Sequence, residues 1–138
     1  METDCLFCKI IAGKIPAEKI YEDGTTLAFL DINPVNRGHT LVIPKEHFPN
    51  IYTIPRDYYE RLMGVVHKLA PQIKTLVSAD GVNIGMNNDG AAGQVIFHAH
   101  IHIIPRFSND GHKHWHGEAY KQGEIEEMGK TLRESLVP

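Results

Sequence analysis

Apolar and polar residues alternate with a period of two in several short stretches, a pattern typical of half-buried β-strands. The clearest case is residues 97–103, where four apolar side chains interleave with His98, His100 and His102. We expect the apolar set to enter the core and the three imidazoles to line the other face, about 6.5–7 Å apart. Pro105 has no backbone N–H to donate to the hydrogen bonds between strands, so it is predicted to end this strand.

Four more strands are predicted from apolar stretches bounded by turn residues, over 20–21, 26–32, 38–44 and 81–87. The first two flank Asp23 and Gly24, a pair typical of β-hairpin turns.

Residues 55–79 have a helical pattern, with apolar side chains at three- and four-residue steps. Pro71 lies inside this stretch and is expected to kink or split the helix, because it removes a hydrogen bond. A short C-terminal helix is predicted over 124–137, with acidic residues in its first turn. Strands on both sides of one long helix predict an α+β domain with a mainly antiparallel sheet. The apolar face of the C-terminal helix consists of Ile125, Met128, Leu132 and Leu136.

Composition and charge narrow the class of protein. The chain has 138 residues, 42% hydrophobic and 22% charged, which predicts one globular domain over residues 1–138. A net charge of −3 offers no basic surface for nucleic acid or for an anionic membrane. The N-terminus lacks a signal-peptide pattern and no apolar run approaches the ~20 residues of a membrane span, so we expect a cytoplasmic protein.

The three alternating histidines have two chemical interpretations. A neutral imidazole is nucleophilic near pH 7 and can attack phosphorus, while neighbouring imidazoles protonate a leaving group. The glycine-containing loop at 88–93 would then offer backbone N–H groups to phosphate oxygens. Alternatively, the three histidines could ligate zinc and leave one position open for a catalytic water.

Cys5 and Cys8 form a C-x-x-C pair and are the only cysteines in the chain. In a reducing compartment such a pair more often ligates metal than forms a disulfide, and histidines could complete a Cys₂His₂ set. The alternative is that both are small buried apolar residues.

The segment Gly93-Gln94-x-x-x-His98-x-His100-x-His102-x-x-Pro105 resembles the signature of the histidine triad (HIT) superfamily. The resemblance extends over nearly the whole chain, and segments 6–11, 15–17, 27–34 and 39–47 are similar to its Hint-like branch. It implies a HIT-like fold and a homodimer that cleaves the bond to the α-phosphate of a purine nucleotide.

The resemblance also implies roles for individual residues. His100 would be the nucleophile, His102 would contact the phosphate and leaving group, and His39 would support the triad. Asp31 would bind the ribose hydroxyls, since a carboxylate can accept from both. Asn87, Gly93, Gln94 and Val95 would form the phosphate-contacting loop, although some Hint proteins carry a serine where Val95 stands. The purine slot would be lined by Leu6, Phe7, Ile10, Phe29 and Ile32, of which Leu6 and Ile10 fit a core role equally well.

Zinc-binding relatives imply a structural site made of Cys5, Cys8, His47 and His98.

Three functions stay open: a HIT hydrolase or nucleotidyl transferase, a nucleotide-binding regulatory protein with little turnover, and a zinc-dependent hydrolase with the triad as ligands. His112, His114 and His116 are expected in a solvated loop around Trp115, which loosely matches a C-terminal tryptophan of relatives.

Overall fold

The structure is a computed structural model and describes residues 4–136. Its helices and strands, in chain order, are α1 (Leu6–Ile11), β1 (Lys19–Glu22), β2 (Thr26–Leu30), β3 (Thr40–Pro44), α2 (Arg56–Leu76), β4 (Gly81–Gly85), β5 (Ile101–Arg106) and α3 (Glu124–Ser135). A single 3₁₀ turn, Gly90–Ala92, lies between β4 and β5.

The five strands form one sheet in the order β1-β2-β3-β5-β4, and every neighbouring pair is antiparallel. This confirms the predicted α+β class with an antiparallel sheet, one long helix and a short C-terminal helix. Among residues 4–136, no helix combines the length and the apolar character that a membrane span requires.

The two faces of the sheet carry different layers because β2, β3 and β5 alternate their side chains. On one face, α2 packs its buried Leu62, Val66 and Leu69 against residues such as Ile101 and Ile103 of β5. On the other face, a second apolar cluster joins α1 to β2 and β3, with Phe7, Ile10, Leu27, Phe29, Leu41 and Ile43. His102 lies between Ile101 and Ile103 in β5, so it points toward the face that carries α1.

The histidine-bearing strand is shorter than predicted at its start and longer at its end. It begins at Ile101, because the ladder with β3 begins at the Val42–Ile101 pair and the preceding backbone bonds a loop instead, from Ala99 N–H to Phe48 C=O. The prediction that Phe97 enters the core was wrong: its side chain is half exposed. Pro105 lies inside β5 and pairs only with β4, since the β3 ladder ends at Ile103.

The long helix is not split at Pro71, contrary to one of the two outcomes expected. α2 runs from Arg56 to Leu76, and Pro71 lies on its exposed face, where a carbonyl that loses its helical partner can face water. Strands predicted over 26–32, 38–44 and 81–87 are each two residues shorter. α3 ends at Ser135, and Val137, the predicted end, lies outside the described residues.

Candidate active site and metal centre

A cavity of about 350 Å³ opens between α1, β2 and the loop that precedes β5. Its wall is mostly apolar, and the polar side chains on it are few: Asp31, Asn33, Asn87, His100 and His102. An apolar cavity of this size with a few convergent polar groups is typical of a small-molecule site.

His100 is oriented by a backbone carbonyl. Its Nδ1 lies 2.7 Å from the His98 carbonyl oxygen, and only an N–H can donate to a carbonyl, so the Nδ1 carries the proton. Burial lowers the pKa of His100 and keeps the ring neutral. The lone pair therefore resides on Nε2, and an unprotonated imidazole nitrogen is chemically able to act as a nucleophile.

His39 and His102 form a hydrogen-bonded pair whose protons can also be assigned. The Val35 N–H donates to His39 Nδ1 over 3.1 Å, so a neutral His39 carries its proton on Nε2. That Nε2–H lies 2.9 Å from His102 Nδ1, which must accept it, and His102 in turn carries its proton on Nε2. The pKa of His102 is lowered to about 4, mainly by burial and to a lesser degree by the nearby His100 and His39. Burial also lowers the pKa of His39.

Asp31 follows β2 directly and brings a carboxylate to the cavity wall. Its Oδ1 accepts from the Asn33 N–H over 2.8 Å, which orients the carboxylate. Its Oδ2 lies 3.8 Å from His39 Nε2.

His98 belongs to a different cluster. Its Nε2–H donates to the Pro44 carbonyl over 2.8 Å, which leaves the Nδ1 lone pair directed at Cys5, Cys8 and His47. The separations are 3.4 Å to Cys5 Sγ, 3.6 Å to Cys8 Sγ and 3.2 Å to His47 Nδ1. Burial lowers the pKa of His98 to about 4, so the ring stays neutral, as a metal ligand must be.

These four donor atoms match a tetrahedral zinc site. Zinc bonds of about 2.0 Å to nitrogen and 2.3 Å to sulfur place the ligand atoms roughly 3.3–3.8 Å apart in a tetrahedron. The measured separations, including 3.4 Å between Cys8 Sγ and His47 Nδ1, lie close to that range. Four protein ligands would fill the coordination shell of a bound zinc ion, which is the pattern of structural rather than catalytic zinc. The three histidines of the motif therefore do not share one site, contrary to the expectation from their alternation.

Asp31, His39 and His102 also lie close enough together for a metal, but their hydrogen bonds fit one poorly. To ligate through Nε2, His39 would have to move its proton to Nδ1, where it would meet the Val35 N–H, a second donor. Two donors facing each other leave a buried polar contact unsatisfied. The three motif histidines themselves, His98, His100 and His102, do not form a common ligand group among the described residues, so the hypothesis of a zinc hydrolase with the triad as ligands loses its support.

Most of the residues predicted for nucleotide binding come together at the cavity. Gln94 is different: its buried side-chain amide donates to the Pro49 and Ile96 carbonyls and accepts from the Asp89 N–H, so it holds the loop from inside. His39 lies behind His102 rather than on the wall. The predicted residues on the wall are Leu6, Phe7, Ile10, Phe29, Asp31, Ile32, Asn87, Gly93, Val95, His100 and His102.

Sequence reasoning missed two kinds of contributor. Ile15, Pro16, Leu41 and Ile96 also line the cavity, although their apolar side chains look the same in a sequence as core residues. The Val35 N–H that orients His39 belongs to the backbone and has no side-chain signal.

Comparison with known proteins identifies the family of this chain. A family model described as HIT domain matches residues 12–109. An Arabidopsis thaliana protein named adenylylsulfatase HINT3 is 44% identical over 80% of this chain and 56% of its own length. A Candida albicans protein named adenosine 5′-monophosphoramidase HNT1 is 36% identical over 96% of this chain and 91% of its own length.

Two solved structures extend the comparison to the fold. SMU.412c from Streptococcus mutans superposes with a TM-score of 0.91 at 40% identity, covering 97% of this chain and 86% of that one. A zinc-bound histidine triad family protein from Mycobacterium smegmatis superposes with a TM-score of 0.76 at 38% identity, covering 95% of this chain and 91% of that one. Because the family model covers most of the chain and each of these relatives matches 80% or more of it, this protein belongs to the HIT family.

Proposed function

We propose that this protein is a hydrolase or nucleotidyl transferase that cleaves the bond to the α-phosphate of a purine nucleotide. The bond would be phosphorus–nitrogen or a phosphoanhydride, and the reaction would pass through a nucleotidyl group on His100. One observation carries the proposal: the His98 carbonyl holds the His100 proton on Nδ1, so an unprotonated Nε2 belongs to a residue of the cavity wall.

The chemistry follows from the proton positions. The His100 Nε2 lone pair forms a bond to phosphorus while the bond from phosphorus to the leaving group breaks, and its electron pair departs with that group. The His102 Nε2–H donates a hydrogen bond to the leaving group, and an amine leaving group takes its proton from solvent. In the second step water attacks phosphorus and loses a proton to solvent, and the phosphorus–nitrogen bond to His100 breaks with its electron pair returning to Nε2.

The rest of the cavity suits a nucleoside monophosphate. Asp31 would accept hydrogen bonds from the ribose hydroxyls, while Phe7 and Phe29 would contact the base. Asn87 and Gly93, which line the same cavity as His100 and His102, would contact the phosphate. The names of the two enzyme relatives, an adenylylsulfatase and a monophosphoramidase, support an adenine nucleotide as the first substrate to test.

The test is release of AMP from adenosine 5′-phosphoramidate and from adenylyl sulfate by the purified protein. We expect turnover of at least one of them, and slower turnover of its 2′,3′-dideoxy analogue because Asp31 would lose both partners. Absence of turnover on both compounds would contradict the enzymatic proposal.

A second candidate function is nucleotide binding with little turnover. Val95, at the cavity mouth, is 85% exposed and has no hydroxyl to offer a phosphate, which favours weaker catalysis. Tight AMP binding without release of product from either compound would support this candidate.

We also propose that Cys5, Cys8, His47 and His98 hold a structural zinc ion and that the protein resides in the cytoplasm. Cys5 and Cys8 are not joined by a disulfide bond, and a reducing compartment keeps thiols available for metal. The zinc-bound family member from Mycobacterium smegmatis supports the identity of the metal.

We propose a homodimer because α3 has an exposed apolar surface. No described residue of this helix is buried, yet it has an apolar stripe made of Ile125, Met128 and Leu132. A helix with one apolar stripe requires a surface to cover that stripe, and a second copy of the chain would supply it.

The double variant Met128→Glu/Leu132→Glu is therefore expected to be monomeric, because it places two charges in the apolar stripe. Light scattering should give twice the mass of one chain for the wild type and the mass of a single chain for the variant. The matched control is Lys130→Glu, which changes an exposed lysine of the same helix and should stay dimeric. A monomeric wild type would refute the dimer, and a dimeric double variant would show that α3 does not form it.

A further inference from the structure

His112 is held in place by a salt bridge between Arg106 and Asp110. Arg106 Nε donates to Asp110 Oδ2 over 2.8 Å and its Nη2 to Asp110 Oδ1 over 3.0 Å. The same Nη2 donates to the His112 carbonyl, and the His112 N–H donates to Asp110 Oδ1, so both backbone groups of His112 are bound. These contacts hold the pKa of Asp110 well below its usual range. His112 is thus fixed despite its exposure.

The imidazole of His112 reaches the segment that orients the hydrogen-bonded pair of His39 and His102. Its Nε2–H donates to the Val35 carbonyl over 3.0 Å. Val35 in turn donates its N–H to His39 Nδ1, and His39 donates to His102. Asn36, the next residue, donates to Asp110 Oδ2, so the same carboxylate anchors both sides of this contact.

We propose that His112 is a positioning residue, which sets the proton positions of His39 and His102 by holding Val35. This inference rests on the function proposed above, in which His102 offers its Nε2–H to the leaving group. A neutral imidazole can carry its proton on either nitrogen, and which one is decided by the hydrogen bond at the other. With Val35 held, His39 Nδ1 is an acceptor, and the proton of His102 is directed to Nε2. If the hydrogen bond from His112 to Val35 is lost, His39 can carry its proton on Nδ1 instead. The proton of His102 then moves to Nδ1, and His102 loses the Nε2–H that it would donate to the leaving group.

The direct test is ¹⁵N spectroscopy of protein with labelled histidine rings, which distinguishes protonated from unprotonated nitrogen. We expect the wild type to show His39 protonated on Nε2 and His102 on Nε2. In His112→Ala both signals should move toward averaged values. His112→Gln keeps an N–H near the position of Nε2 and should restore the wild-type signals. His114→Ala, which removes an exposed histidine two residues away, should leave them unchanged.

Kinetics provide the second readout. His112→Ala should lower kcat about 3- to 10-fold, the effect of one lost neutral hydrogen bond, with KM changed less than about 2-fold. Wild-type ¹⁵N signals in His112→Ala would overturn the proposal, and so would an equal change in His114→Ala. If the wild type turns over no nucleotide, the proposed function fails, and the ¹⁵N signals alone still decide whether His112 sets the proton positions.

Discussion

His100→Ala is expected to reduce AMP release by roughly four to six orders of magnitude, the range seen when a covalent nucleophile is removed. AMP affinity should change by no more than a few-fold, because the base and ribose would contact other residues of the wall, among them Phe7, Phe29 and Asp31. The measurement pairs turnover with calorimetric AMP binding. A large loss of turnover with nearly unchanged AMP affinity is the result expected for a nucleophile and not for a binding residue.

The control for His100→Ala is His67→Ala, which removes an exposed imidazole on α2 and should leave both quantities unchanged. A second observation isolates the covalent step: wild-type protein quenched in alkali during turnover should carry the added mass of one nucleotidyl group, and His100→Ala should not. A variant that retains the wild-type rate would refute the nucleophilic role of His100.

The architecture could be predicted because periodicity reports which side chains are buried. The 3.6-residue period of α2 and the turn at Asp23 and Gly24 gave the right elements within a few residues. α1 was not predicted as a helix, because six residues are too few for a helical period to appear. The early start predicted for β5 had another cause: residues 97–100 alternate as a strand would, but Ala99 bonds a loop at Phe48.

The site could be predicted only in part, since side-chain types are visible in a sequence and backbone partners are not. The motif places His98, His100 and His102 two residues apart, which favours one shared site. Backbone carbonyls place these histidines in two different sites. The Pro44 carbonyl accepts from His98 and directs its Nδ1 toward the cysteines, and the His98 carbonyl holds the proton of His100 on Nδ1. The side chain of Gln94 is similar, since it bonds two backbone groups of its own loop and the Pro49 carbonyl of another loop, and no residue pattern reveals these partners.

Removing zinc from the proposed Cys5, Cys8, His47 and His98 site is expected to lower the melting temperature by about 10 °C or more, which corresponds to a loss of about 3 kcal/mol or more for a chain of this size. Without a metal, the donor atoms of four side chains from three parts of the chain would face one another, and two of these residues, Cys8 and His98, are almost fully buried. The measurements are zinc content per chain and thermal melting before and after treatment with a strong chelator.

Cys8→Ala separates a metal ligand from a merely buried thiol. If Cys8 only fills space, the variant should lose a small amount of stability, and the chelator should affect neither protein. If Cys8 is a ligand, the chelator should destabilise the wild type strongly and Cys8→Ala hardly at all, because the variant has already lost its metal. Metal loss should also weaken AMP binding, since α1 carries both the Cys8 ligand and the cavity residues Phe7 and Ile10. Protein purified without chelator that holds far less than one zinc per chain would refute the site, and equal chelator sensitivity in wild type and Cys8→Ala would exclude Cys8 from it.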